Sequence, residues 1–174
     1  MDTIVKNKIY TIDNFITNLE CDNFIKQIDD KENIVNFTNT GQFKNDKYID
    51  LELATYFYNK LISNNINLQL LRPNKLIMTG KYKEGNQFAI HTDTGLFYDK
   101  NKKEKSMYTL LIYLNDNFDQ GETIFYNNNL IETIKIIPKK GMALLFHIDE
   151  FHKGNMVKNG TKYWIGCEII SNFI

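Results

Sequence analysis

The stretch Tyr108–Phe125, YTLLIYLNDNFDQGETIF, decides the fold class. Two runs of β-branched and aromatic residues, Tyr108–Leu114 and Glu122–Phe125, flank a cluster of Asn, Asp and Gly that reads as a turn. Working outward, the same grammar recurs from Leu68 onward, where the hydrophobic period falls from 3.6 to 2. The expected strands are Leu68–Leu71, Leu76–Tyr82, Gln87–His91, Tyr108–Leu114, Glu122–Phe125, Ile131–Ile137, Ala143–His147 and Tyr163–Ile170. Seven or eight short strands separated by turn signals predict a sandwich or jelly roll, with ligands held between the sheets or at the mouth.

The first third of the chain is mixed. Lys8–Ile12 and Ile34–Phe37 read as strands. Asn14–Ile28 has Phe15, Leu19, Phe24, Ile25 and Ile28 near helical spacing, and Tyr48–Ile62 places Leu51, Ala54, Tyr58, Leu61 and Ile62 on one helical face. These helices are expected to brace a sheet. The prediction is a mainly β chain with flanking helices: one domain over 1–174, N-terminal support to about residue 67, and a β core from about 68 to 174.

Composition narrows the function classes. The chain has 174 residues, 43% of them hydrophobic, enough for a core without metal or disulfide staples. Its 21 basic and 21 acidic residues cancel, so no global field draws nucleic acid or an anionic bilayer, and neither partner is expected. Cys21 and Cys167 are too few for a disulfide framework. Met1–Tyr10 shows no signal-peptide core and no apolar run is long enough to span a bilayer, so an intracellular, cytoplasmic location is expected. Thr94–Ser106, rich in Lys, Asp and Glu, reads as a solvated excursion or a flap beside a site. The sequence does not speak to oligomeric state.

All three histidines, His91, His147 and His152, lie in the β half. His91-Thr92-Asp93 sets an imidazole and a carboxylate two residues apart at a strand end, so both can face one point. A lone His-x-Asp is common by chance, but His152 follows 59 residues after Asp93, on a segment able to return to the same mouth. Two imidazoles and one carboxylate form a facial triad suited to Fe(II) oxygen chemistry, and zinc accepts the same donors. Spacing alone does not choose between His147 and His152 as the third ligand. Lys162, ten residues beyond His152, lies just before the last expected strand; pointing inward, it would need an anion such as a dicarboxylate.

These pieces occur in the order of a known family. Ile12-Asp13-Asn14-Phe15-Ile16 stands near the start, and Tyr82-Lys83-Glu84-Gly85-Asn86-Gln87-Phe88 leads to His91-Thr92-Asp93. Tyr108–Asn115, Gly121–Phe125, Pro138 with Gly141–Phe146, and His152-Lys153-Gly154 through Lys162 and Tyr163 complete the set. The chain resembles the Fe(II)- and 2-oxoglutarate-dependent dioxygenases, in particular their prolyl 4-hydroxylase-like branch. The likeness covers nearly the whole chain and is most specific from Tyr82 to Tyr163.

The resemblance implies a double-stranded β-helix (jelly roll) core braced by the N-terminal helices. It implies His91, Asp93 and His152 as iron ligands, Lys162 as partner of the distal 2-oxoglutarate carboxylate, and Tyr113 and Tyr82 as further contacts to that cosubstrate. Fe(II), 2-oxoglutarate and O2 follow as cofactor and cosubstrates, with ascorbate a candidate reductant. Related halogenases replace the carboxylate ligand with a small residue, so Asp93 implies hydroxylation of a C–H bond. A prolyl or other polypeptide side chain is the expected substrate, with a small molecule as the other choice. Nucleic-acid demethylases of the superfamily read their cosubstrate with arginines after the distal histidine, whereas this chain has one arginine, Arg72. The competing classes are a non-catalytic jelly-roll binding module and a zinc hydrolase using the same three side chains. Gln120 stands where a glycine is usual before Gly121, which should alter only a turn. Cys167 and Glu168 replace an arginine and an aspartate common in relatives.

Overall fold

The computed structural model describes residues 3–6, 8–30, 44–94, 98–99 and 104–172. Its strands are β1 (Thr3–Lys6), β2 (Ile9–Ile12), β3 (Lys44–Ile49), β4 (Leu71–Lys83), β5 (Phe88–His91), β6 (Tyr98–Asp99) and β7 (Glu104–Tyr113). They continue as β8 (Asp119–Gln120), β9 (Thr123–Tyr126), β10 (Glu132–Ile136), β11 (Ala143–His147), β12 (Phe151–Gly154), β13 (Val157–Lys158) and β14 (Thr161–Asn172). Two helices, α1 (Asn18–Asp30) and α2 (Leu51–Ser63), precede the main run of strands.

Alternation along the strands builds two cores. The major sheet runs β1-β2-β11-β7-β14-β4-β3, with β6 also on β7, and the minor sheet runs β10-β9-β12-β5. On β7, Leu110 and Ile112 point one way, into a core shared with Ala54, Phe57 and Leu61 of α2 and Cys21 and Ile28 of α1. Tyr113 points the other way, where it meets Leu144 and Phe146 of β11 and Phe125 of β9 between the sheets. On β14, Ile165, Cys167 and Ile169 join the helical core, so Lys162 and Trp164, on the alternate positions of the strand, face the minor sheet. Burying each large apolar side chain of these layers contributes about 1.5–3 kcal/mol. The architecture is the jelly roll expected from the sequence, braced by helices on the outer face of its major sheet.

Helix ends follow their caps. Thr17 Oγ1 accepts from the Glu20 amide (3.2 Å) while Glu20 Oε2 accepts from the Thr17 amide (2.7 Å), a reciprocal capping box that starts α1 at Asn18. The expected start at Asn14 is therefore four residues early; Asn14 sits in a turn at φ 55° and Leu19, assigned to the core face, is exposed. Asp50 caps α2, its Oδ1 accepting from the Leu53 amide at 2.9 Å, so Tyr48 and Ile49 belong to β3 instead. The buried face of α2 is Ala54, Phe57 and Leu61, leaving Leu51 and Ile62 largely exposed.

Other expectations need correction. Of Leu68–Leu71 only Leu71 is strand, the first residue of β4; the residues before it form a turn, with Leu70 at φ 66° and largely out in solvent while Leu68 plugs the core. Strands β3 and β12 were not anticipated, since KNDKYI and FHKG lack a clean apolar alternation. In the 94–106 stretch, Glu104 and Ser106 are buried within β7, Glu104 paired with Arg72, so its C-terminal end is strand rather than excursion. The remainder of that stretch, apart from Thr94 and β6, lies outside the described residues, as does Ile34–Phe37. Cys21 and Cys167 are free and buried, their thiols pushed up by burial to about 11 and about 12. Among the described residues no helix is long and apolar enough to cross a membrane.

Candidate metal and cosubstrate site

His91 ends β5, and the antiparallel register sets it directly opposite His152 of β12. Residues paired in this way project from the same face of the sheet, and the two imidazoles meet with ring centroids 4.2 Å apart. Asp93, just beyond β5, is pinned by its amide to the Ile148 carbonyl (2.9 Å). Its Oδ1 lies 3.3 Å from His91 Nε2 and 3.9 Å from His152 Nε2. One ligand atom from each of the three residues falls within 4.8 Å of the others.

Each imidazole is oriented by the same local device. His91 Nδ1 bonds the Ala89 carbonyl (2.8 Å) and His152 Nδ1 the Glu150 carbonyl (2.9 Å), two residues earlier in each case. A carbonyl only accepts, so Nδ1 is the donor to the backbone in each ring and Nε2, the nitrogen facing Asp93 Oδ1, is the one available to a metal. Rings of Phe146 and Phe125 pack on His152, and Phe88 packs on His91. Burial lowers the His152 pKa, partly offset by Asp93, which favours the neutral ligand form. Burial opposes the Asp93 charge, but the His91 hydrogen bond, the His152 imidazole and the Thr109 hydroxyl together hold its carboxyl below the usual carboxylate range. Nε2 of each ring and Oδ1 thus converge on one point, where a cation can replace the proton they share. The donor set fits Fe(II).

The triad opens on a cavity of about 530 Å³ between the sheets. Lys162, beside Tyr82 in the β14/β4 register, reaches into it from the major sheet. The residue is 3% exposed, and its ammonium donates to the Gly121 carbonyl (2.7 Å) and sits 5.0 Å from the centre of the Tyr113 ring. Among the described residues no carboxylate forms an ion pair with it. Burial pulls its pKa down to about 7, with Glu122 acting weakly in the opposite direction. A buried cation without a paired carboxylate, in a polar-ended cavity, fits the far end of a dicarboxylate such as 2-oxoglutarate. The turn presenting the Gly121 carbonyl has two successive left-handed residues, Gln120 (φ 59°) and Gly121 (φ 68°). The Gln-for-Gly exchange is therefore accommodated in a conformation that glycine adopts more readily.

Of the residues singled out in the sequence, His91, Asp93, His152, Lys162 and Tyr82 all line this cavity. Tyr113 lies beneath it, fully buried, its hydroxyl bonded to Thr123 Oγ1 at 2.6 Å, and it is Thr123 that reaches the wall. His147 does not join the triad. Its ring meets Tyr108 edge-on at 5.3 Å and its Nδ1 lies 3.4 Å from Asp149, while its neighbour Phe146 takes the inner face. Sequence reasoning missed Thr109, Thr123 and Trp164. The period-2 pattern could have found Thr109, four residues before Tyr113 on the same face of β7, and Trp164, two after Lys162.

A comparison with curated proteins returned no match. Among solved structures, the fold matches a viral collagen prolyl hydroxylase from Paramecium Bursaria Chlorella virus-1, in its 2OG complex, at TM-score 0.68 and 21% identity over 95% of this chain and 97% of that one. It also matches a prolyl-4-hydroxylase of Pseudomonas putida (TM-score 0.72, 13% identity, 95% and 94% covered). A third match is a prolyl hydroxylase of Trichoplax adhaerens in complex with a hypoxia inducible factor oxygen degradation domain peptide fragment (TM-score 0.70, 17% identity, 94% and 84% covered). At these identities the likeness establishes a shared fold. The model of the 2OG-Fe(II) oxygenase superfamily matches residues 77–167, which is more than half of the sequence and includes the His-Asp-His group and Lys162. The chain belongs to the 2OG-Fe(II) oxygenase superfamily.

Proposed function

We propose that the chain, as a single domain over 1–174, is a 2-oxoglutarate-dependent hydroxylase of C–H bonds whose substrate is a prolyl or other side chain of a polypeptide. Membership implies Fe(II), 2-oxoglutarate and O2. When bound, these supply the oxidative chemistry: decarboxylation of 2-oxoglutarate to succinate and CO2, with one oxygen atom passed to the substrate C–H bond. The observation that carries the reading is the meeting of His91, Asp93, His152 and Lys162 on one cavity.

In this reading the chain's own residues do four things. His91 and His152 offer Nε2, and Asp93 offers Oδ1, as three metal donors; three donors leave further coordination positions for cosubstrate and oxygen. Lys162 neutralises the distal carboxylate, helped by the Tyr82 and Thr123 side chains on the same walls. Orientation of the cosubstrate by that anchored end is the principal source of selection. Leu111, Phe146 and Phe88 give the cavity apolar walls that keep bulk water from the reacting centre. A polypeptide substrate is supported by the shared fold with prolyl hydroxylases, one of which is described in complex with a peptide fragment.

The test is succinate release from 2-oxoglutarate with added Fe(II), wild type against His152→Ala, followed by mass spectrometry of proline-containing peptides. Metal-dependent succinate in the wild type alone, with a gain of one oxygen on a peptide, is the expected result. Absence of succinate from metal-loaded wild type would favour a binding module, and zinc-dependent hydrolysis would favour the hydrolase.

A further inference from the structure

We infer that Thr109 is the positioning residue that holds the Asp93 carboxylate with a single oxygen turned to the metal. The inference rests on the metal-site reading above and adds to it a residue outside the donor set. Each of the three donors has two atoms able to bind, and in each the outward atom is tied. For His91 and His152 the tie is a main-chain carbonyl two residues earlier, which no substitution removes. For Asp93 it is a side chain, the Thr109 hydroxyl, donating to Oδ2 at 2.6 Å from 16 residues away.

The placement of Thr109 suits that task. It lies on β7, hydrogen-bonded on both sides, opposite Phe146 of β11 and Glu168 of β14. Its backbone is thereby fixed, its side chain is buried at 6% exposure, and a β-branched residue on a strand has few rotamers to choose from. An ionised carboxylate only accepts, so the hydroxyl proton points at Oδ2 and withdraws that oxygen from other work. Oδ1, facing both Nε2 atoms, is left as the donor. Without the tie, the carboxylate can turn about its Cβ–Cγ bond and present both oxygens, taking a coordination position the cosubstrates need. Partners that orient metal donors in this way change metal affinity by roughly tenfold to a hundredfold when removed.

The experiment titrates the purified full chain with Mn(II), free metal being read by electron paramagnetic resonance, with the melting temperature of each metal-free variant measured alongside. Thr109→Val keeps the shape and removes the donor; Thr109→Ser keeps the donor. The expected result is a Kd for Mn(II) raised roughly tenfold to a hundredfold in the Val variant and within about threefold of wild type in the Ser variant. A folded Val variant with wild-type affinity overturns the inference, as does equal weakening in both variants, because the hydroxyl would then not be the operative group. If the Val variant does not fold, Thr109→Ala takes its place under the same criteria. Asp93→Ala separates the two levels: affinity lost there but kept in Thr109→Val sinks the role of Thr109 alone. Wild-type affinity in Asp93→Ala sinks the metal site and this inference with it.

Discussion

Binding of 2-oxoglutarate should draw a proton onto Lys162, and the size of that uptake follows from burial. In the ligand-free protein its pKa stands at about 7 against an ordinary 10.5, because the ammonium is taken out of water with only the Gly121 carbonyl and the Tyr113 ring to replace it. At 1.36 kcal/mol per pKa unit this represents about 5 kcal/mol against the charged form. Glu122, held ionised by Asn155 after burial is outweighed, is the carboxylate that partly offsets the cost. A carboxylate delivered to Lys162 favours the charged form and raises the pKa again. At pH 8 a group of pKa about 7 is roughly one-tenth protonated, so binding takes up about 0.9 proton, falling to about 0.1 at pH 6. The sign for affinity follows: it is fully present below about pH 7 and is lost by up to tenfold per pH unit above that, until the pKa of the bound state is reached. For stability of the ligand-free protein the unfolded chain binds more protons between about pH 7 and 10.5, so stability rises with pH across that window. Calorimetric titration of the Mn(II)-loaded protein with 2-oxoglutarate, at pH 8 in buffers of different ionisation enthalpy, measures the uptake directly. Lys162→Met, similar in length and uncharged, should show weakened binding and no uptake. Less than about 0.2 proton in the wild type, or equal uptake in the Met variant, would refute the placement of the dicarboxylate on Lys162.

Two further outcomes follow from packing and burial. A Cβ at Gly80 would lie 2.1 Å from Trp164 Nε1, so Gly80→Ala must displace the indole from the cavity wall. Overpacking of about 1–3 kcal/mol should lower the melting temperature by roughly 2–12 °C. The emission of Trp164, the sole tryptophan, should shift with it, and unchanged emission would count against this packing. Glu168 is buried against Asn74, whose Nδ2 donates to it at 2.9 Å, and burial raises its pKa above the ordinary 4.5. The folded state then holds the proton more tightly, so stability is fully present below about pH 4.5 and is lost as pH rises through the raised value. Glu168→Gln should lack that loss in urea denaturation between pH 5 and pH 8, and parallel profiles for the two proteins would refute the assignment.

Much of this molecule can be read from local pattern. Alternation on LLIY and ALLF, with turns rich in Asn, Asp and Gly, is a property of neighbouring residues. It suffices for a sandwich or jelly roll, because a period-2 strand must bury one face wherever it lies. The pattern fails where a strand is short and polar, as in β3 and β12, and where a cap outranks hydrophobic spacing, as at Thr17 and Asp50. Leu68–Leu71 reads as a strand because four apolar or amide residues in a row carry no signal for a left-handed Leu70.

Residue types and order alone determined that His91, Asp93 and one further histidine offer a coherent set of metal donors, with Lys162 as a cation beyond them, since the chemistry of imidazole, carboxylate and ammonium does not depend on the fold. Which histidine joins His91 was decided by strand pairing. His152 is opposite His91 in the minor sheet, whereas His147 lies on β11 with Phe146 filling the inner face. The same is true of Thr109 on Oδ2, of Thr123 standing between Tyr113 and the cavity, and of the depth at which Lys162 is held. These depend on contacts between residues 10 to 41 positions apart along the chain, whose distances are fixed by packing of two sheets and by no spacing within either.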